Sequence, residues 1–211
     1  MTDFISRLAV FALLHSFLAL PALQGRIAGR FPLLGRFYRL FYNLIALATF
    51  FWAMAAWNLS PVLYLVPGAG SLLFHLIQLV SLVLLARCAS QTGIGDLLGL
   101  TQLRRLTGDR HLVTSGCYAR VRHPLYSFSL VFLALNPVMT LKWAILTAFA
   151  AAYFTVGARI EERRLRAEFG DSYRRYQEQV PMFIPGKRRL PRNQPGGGNT
   201  GKPPEKTDGN S

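Results

Sequence analysis

PLYSFSLVFLALNPVMTLKWAILTAFAAAYFTVG, Pro124 to Gly157, is a long apolar run broken at Asn136-Pro137. A membrane crossing takes about 20 residues, so the run is too long for one span. Proline lacks an N–H and disrupts a helix interior. The stretch therefore predicts two antiparallel apolar helices in a tight hairpin, over about 124–137 and 140–158, the first arm short. Outward from it, three more apolar blocks, Phe4 to Leu23, Leu40 to Trp57 and Ser71 to Leu85, predict spans over about 4–23, 40–57 and 69–88. The expected fold class is all-α: a polytopic membrane protein with about five transmembrane helices and a C-terminal helical hairpin. The first block lacks the basic start and following soluble domain of a signal peptide, so it is read as a mature helix.

Composition fits this reading. The chain has 211 residues, 51% of them hydrophobic and only 16% charged, against about a quarter charged in soluble domains. Its formal net charge is +14, and the basic residues are segregated. Arg26, Arg30, Arg36 and Arg39 lie between the first two blocks; Arg87, Arg104, Arg105, Arg110, Arg120 and Arg122 precede the hairpin; twelve follow Gly157. Asn58 to Gly70 carries no charge and the hairpin tip has only Lys142. The positive-inside rule then predicts an outside N-terminus and a cytoplasmic C-terminus. Basic segments at a membrane edge meet anionic lipid, and the basic groove with aromatic platforms of a nucleic-acid binder is absent. Residues 1–185 are expected to form one integral membrane domain, and 186–211 a disordered basic cytoplasmic tail whose KRR can touch headgroups. Cys88 and Cys117 are too few and too isolated for a disulfide framework or zinc site, and are expected simply to pack.

Chemistry concentrates at the hairpin's cytoplasmic ends. In CYARVRHPLY, Cys117 to Tyr126, Pro124 can open a helix with His123 at or near its N-cap. The helix N-terminus could hold a carboxylate or phosphate, with Arg120 and Arg122 adding charge. The alternative is that the arginines snorkel to the interface and Tyr118 and Tyr126 belong to an aromatic belt. Glu161 and Glu162 end the last span, where acidic residues are costly unless paired or functional. An antiparallel hairpin returns them beside Arg122 and His123. That forms either a cytoplasmic cleft for a zwitterionic ligand with an amino-acid group and a ribose diol, or a structural Arg–Glu cluster. Leu165, Phe169, Tyr173 and Tyr176 share one face of a basic helix over about 161–180, expected along the membrane surface as a cap on the cleft. TGIGDLLG follows an apolar helix instead of a strand and misses the GxGxxG spacing, so it is not read as a nucleotide loop. His15 and His75 fall within spans, where bonding to a neighbouring helix is the plainer reading and function the sharper one.

The block Gly116, Tyr118, Arg122-His123-Pro124, Tyr126, followed one hairpin later by EERRLRAEFGDSYRRYQEQVP from Glu161 to Pro181, resembles the isoprenylcysteine carboxyl methyltransferase and phospholipid methyltransferase superfamily of integral membrane enzymes. HSFLALPAL, RLFYNLIAL, DLLGLTQ, NPVMT and VPMFIP resemble its bacterial methanethiol S-methyltransferase branch. The resemblance implies S-adenosylmethionine as methyl donor, contacted by Gln102, by Arg110, His111, Leu112 and Val113, by Tyr118, His123, Pro124 and Tyr126, and by Glu161 or Glu162. It implies a bacterial inner-membrane enzyme, a small thiol or hydrophobic substrate reached beside membrane lipid, and no obligate protein partner. The arginine that prenylcysteine enzymes place four residues before the cofactor glutamate is Gly157 here, with Arg159 two positions off. A thiol must react as thiolate and is only a few per cent ionised near neutrality. Arg122, His123 and Arg159 are accordingly the candidate catalytic residues. Two other readings stay open: a lipid amine or isoprenylcysteine carboxylate as acceptor, and a non-enzymatic membrane accessory protein.

Overall fold

A computed structural model describes residues 1–56, 60–93, 95 and 112–186. The described chain is mostly helical. Helix α1 (Thr2–Leu18) is followed by α2 (Pro21–Arg30), α3 (Pro32–Met54), strand β1 (Val62–Leu65) and α4 (Gly68–Gln91). A 3-10 turn (Gly116–Ala119), α5 (Pro124–Ala134), strand β2 (Val138–Thr140), α6 (Leu141–Phe169) and α7 (Asp171–Gln179) complete it.

Among the described residues, α3, α4 and α6 are long and apolar enough to cross a membrane; α1 and α2 qualify together but are bent by 57°. The bend falls at Pro21. Leu20 before it is extended, at φ −67° and ψ 123°, as steric conflict with a following proline ring requires. The block expected as one helix over 4–23 is therefore broken. The next helix begins earlier than 40, because Pro32 can open it at the first turn. Helix α5 is an 11-residue apolar helix, too short to span by length alone. Large apolar side chains such as Leu13, Leu33 and Leu72 are more than 60% exposed, which identifies an integral membrane protein whose helices present apolar surface outward.

The turn between α5 and α6 departs from an all-helical picture. β1 pairs antiparallel with β2, Val62 opposite Thr140 and Leu65 opposite Val138. The ribbon and Lys142 fix one end of the bundle. Lys142 Nζ donates to the carbonyls of Met54 and Ala56 and lies 5.0 Å from the Phe4 ring, a cation at the C-terminal carbonyls of α3. Phe4, Leu8, Ala56 and Leu146 form the buried cluster beside it. At the opposite end, the stretch read as one helix over 161–180 is divided. Helix α6 runs unbroken to Phe169 and stops at Gly170, whose φ of +53° suits glycine and strains any other residue.

Candidate active site

Pro124 opens α5 and His123 is its N-cap, as the sequence predicts. A strap from the end of α7 fixes this corner. The Arg122 and His123 backbone N–H groups donate to the carbonyls of Pro181 (2.9 Å) and Met182 (3.1 Å), and Ser127 Oγ to that of Phe183 (2.7 Å). Pro124 is fully buried beneath it.

The two glutamates diverge. Successive helical residues point about 100° apart, and here one faces inward and the other out. Glu162 is 7% exposed and Glu161 50%. Glu162 accepts from Arg122 Nε (2.7 Å) and Gln177 Nε2 (2.7 Å), with His123 Nε2 at 3.2 Å. Burial alone would raise its carboxyl, but the hydrogen bonds from His123 and Arg122 outweigh that and hold it down at about 2. Arg122 also donates to the carbonyls of Gln177 and Val180. Its guanidinium, expected to face a ligand, is thus committed to the scaffold. Glu161 instead accepts from Tyr126 Oη (3.3 Å) and lies 3.6 Å from His123 Nδ1. Arg159 is exposed and outside this network.

Aromatic rings line the same corner. Tyr126 stacks on His123 at 5.5 Å and on Phe154 at 4.8 Å. Tyr118 is half-buried on the 3-10 turn; its backbone carbonyl accepts from Tyr176 Oη (2.6 Å), and burial raises its own hydroxyl. Leu112 packs against the buried cluster of Tyr173, Tyr176 and Val180, and Val113 follows it half-buried. Gln102, Arg110 and His111 lie outside the described residues.

Two features were not read from the sequence. Gln177 and the carbonyls of 180–183 hold Arg122, Glu162 and the start of α5; the Val180-Pro181 end of the second block was their only signal. Cys88 and Cys117, expected to pack singly, are joined in a disulfide with Cα atoms 5.7 Å apart. Helix α4 ends where the 3-10 turn begins, and Gln91 Oε1 accepts from the Cys117 N–H beside it. Nothing in a 29-residue separation announces that meeting.

The chemistry of this corner is an exposed carboxylate flanked by a tyrosine hydroxyl and an imidazole, beside a helix N-terminus and several aromatic faces. Such a carboxylate suits a ribose diol, and a helix N-terminus suits a carboxylate.

No family model and no solved structure matches the chain. Among curated proteins, it is 30% identical to methanethiol S-methyltransferase 2 of Bradyrhizobium diazoefficiens over 190 residues, covering 84% of this chain and 70% of that protein. It is 28% identical to methanethiol S-methyltransferase of Crocosphaera subtropica over 191 residues, covering 84% and 72%. Protein-S-isoprenylcysteine O-methyltransferase of Schizosaccharomyces pombe matches at 38% over 81 residues, covering 36% and 34%. With a bundle of apolar helices and the paired corner motifs conforming to one site, the chain belongs to the methanethiol S-methyltransferase family of membrane methyltransferases.

Proposed function

We propose that this membrane methyltransferase uses S-adenosylmethionine to S-methylate a small thiol such as methanethiol. The observation that carries the donor site is the division of labour at 161–162: Glu162 is locked into the scaffold while Glu161, held by Tyr126 and near His123, is half exposed. Glu161 would take the ribose hydroxyls, the first turn of α5 the carboxylate, and Tyr118 and Tyr126 the flat surfaces. Pro124 sets that turn. Gln102, Arg110, His111, Leu112 and Val113 would complete the site, Leu112 from the cluster under the strap.

The bound donor supplies a methyl group on a sulfonium, whose leaving thioether is neutral and needs no acid. The chain's own task is to align a nucleophile and exclude water. Arg122 and Glu162 act here by positioning His123 and the strap, and Arg159 would add positive potential for a thiolate from the rim. A small acceptor fits Gly157: a Cβ there would stand 3.9 Å from Tyr126 Oη, so a long side chain would occupy the space beside Tyr126.

The five-span arrangement with an outside N-terminus and a cytoplasmic cleft, in a bacterial inner membrane, belongs to the same proposal. The donor then enters from the cytoplasm and the apolar thiol from the membrane.

Calorimetry in detergent with S-adenosylhomocysteine tests the donor site, and membranes given labelled donor and methanethiol test the acceptor. Binding and dimethyl sulfide formation are expected. No binding would overturn the donor, and binding without dimethyl sulfide would overturn the thiol in favour of a larger acceptor.

A further inference from the structure

One polar cluster inside the apolar bundle is not used by the donor site. His15 of α1 lies between two tyrosines from other helices: Nδ1 is 2.7 Å from Tyr153 Oη of α6, and Nε2 is 2.5 Å from Tyr42 Oη of α3. Ser16 Oγ is 2.9 Å from Tyr153 Oη. Polar side chains at membrane depth are expensive unless satisfied and mark function more often than elsewhere. His75, the other intramembrane histidine, is exposed and bonds its own helix at the Ser71 carbonyl, so only His15 faces partners across the bundle among these two.

Position links this cluster to the donor corner. Tyr153 precedes Glu161 by eight residues on α6, about 12 Å at 1.5 Å per residue. Tyr126 bridges the interval: its hydroxyl meets Glu161, its ring stacks on Phe154, and it is within electrostatic range of Tyr42 and Tyr153. The cluster therefore lies deeper along the same wall, on the side from which an apolar acceptor would arrive.

A thiol acceptor must lose a proton to become the nucleophile. His123 is poorly placed to take it, because its two ring nitrogens are turned to Glu161 and Glu162. His15 faces only hydroxyls, each able to donate or accept. Tyr38 and Arg39 on α3 and Tyr126 on α5 are the other titratable groups nearby.

We propose that His15, Tyr42 and Tyr153 form the acceptor end of the active site, Tyr42 contacting the thiol and His15 taking its proton through Tyr42. This rests on the donor reading above. The thiol S–H proton passes to Tyr42 Oη as the Tyr42 hydroxyl proton passes to His15 Nε2, leaving an imidazolium whose Nδ1–H donates to Tyr153. The sulfur keeps the S–H electron pair and spends it on the new S–CH3 bond. The pair of the donor's broken C–S bond leaves with its thioether. Tyr42 is the catalytic residue of this step, and His15 and Tyr153 act through it.

The test compares wild type with Tyr42→Phe and His15→Phe, which keep ring volume. S-adenosylhomocysteine affinity should stay within twofold by calorimetry. Thiol methylation at pH 7 should fall at least tenfold, with the deficit shrinking as pH rises toward the thiol's own ionisation. A second readout needs no turnover. In protein labelled with 15N at its four histidines and saturated with S-adenosylhomocysteine, methanethiol should shift the His15 ring nitrogens in wild type and not in Tyr42→Phe. Unchanged methylation in Tyr42→Phe, a deficit independent of pH, or an unmoved His15 signal would each overturn the proposal. Should His15→Phe fail to fold, Tyr42→Phe and the wild-type titration still decide it. Wild type that binds no S-adenosylhomocysteine would overturn the donor reading as well, a result distinct from all of these.

Discussion

Glu161 and Glu162 are neighbours with opposite duties, and substitution should separate them. Glu161→Gln removes a half-exposed carboxylate whose contacts to α5, with Tyr126 Oη at 3.3 Å and His123 Nδ1 at 3.6 Å, are long, so S-adenosylhomocysteine affinity should fall about tenfold, roughly 1.4 kcal/mol, with the thermal midpoint little changed. Glu162→Gln leaves Arg122 buried without its charge partner, a loss of about 3 kcal/mol in stability, read as a lower thermal midpoint in detergent. The Glu162 carboxyl titrates below its ordinary 4.5, at about 2. Its stabilisation is complete above pH 4.5 and is lost as pH falls toward 2, because the unfolded chain takes up the proton first. The midpoint of the wild type should therefore drop across that window, and that of Glu162→Gln should lack this component. That these residues meet Arg122 and His123 was legible in the sequence, since a returning helix has to bring them back. Their assignment was not: which of two adjacent glutamates turns inward depends on the rotation of α6, fixed where Glu162 meets Arg122 and Gln177.

At the scale of elements, the apolar blocks and prolines predicted where helices lie better than where they end. Pro124 and Pro32 each open a helix as their chemistry requires, and Pro21 breaks one that hydropathy alone would have continued. Hydropathy could not show that α6 continues past the lipid to Phe169, because its polar part remains a good helix former until Gly170. The β1–β2 ribbon escaped for another reason: strands of four and three residues carry too little periodicity to stand out from a loop. The 3-10 turn that carries Tyr118 begins at Gly116, with φ at +61°, where an added Cβ would stand 2.3 Å from Gln91 Nε2. Gly116→Ala therefore strains the backbone by about 1 kcal/mol and pushes away the Gln91 side chain that accepts from the Cys117 N–H. We expect a lower thermal midpoint and weaker S-adenosylhomocysteine binding together, and Ser115→Ala, next to it but free of that contact, to show neither.

For the whole molecule, charge ties the fold to the chemistry. Helix pairing places α1 against α3, α4 against α5 and α5 against α6, and His15 near the end of α1 meets Tyr153 of α6. The basic segments border the same end, from Arg26, Arg30, Arg36 and Arg39 at α2 and α3 to the arginines that follow Gly157 on α6 and α7. The opposite end holds the ribbon and Lys142, whose ammonium is absorbed by the carbonyls ending α3. On the proposed reading, a polar donor made in the cytoplasm would have to reach Glu161 without crossing lipid, which requires the basic end to face inward. Green fluorescent protein fused after Ser211 should then fluoresce and alkaline phosphatase at that position should be inactive, while phosphatase inserted before β1, at Ser60, should be active. The inverse pattern would place Glu161 outside the cell, away from the donor, and the methyl-transfer reading of this corner would fall with the orientation.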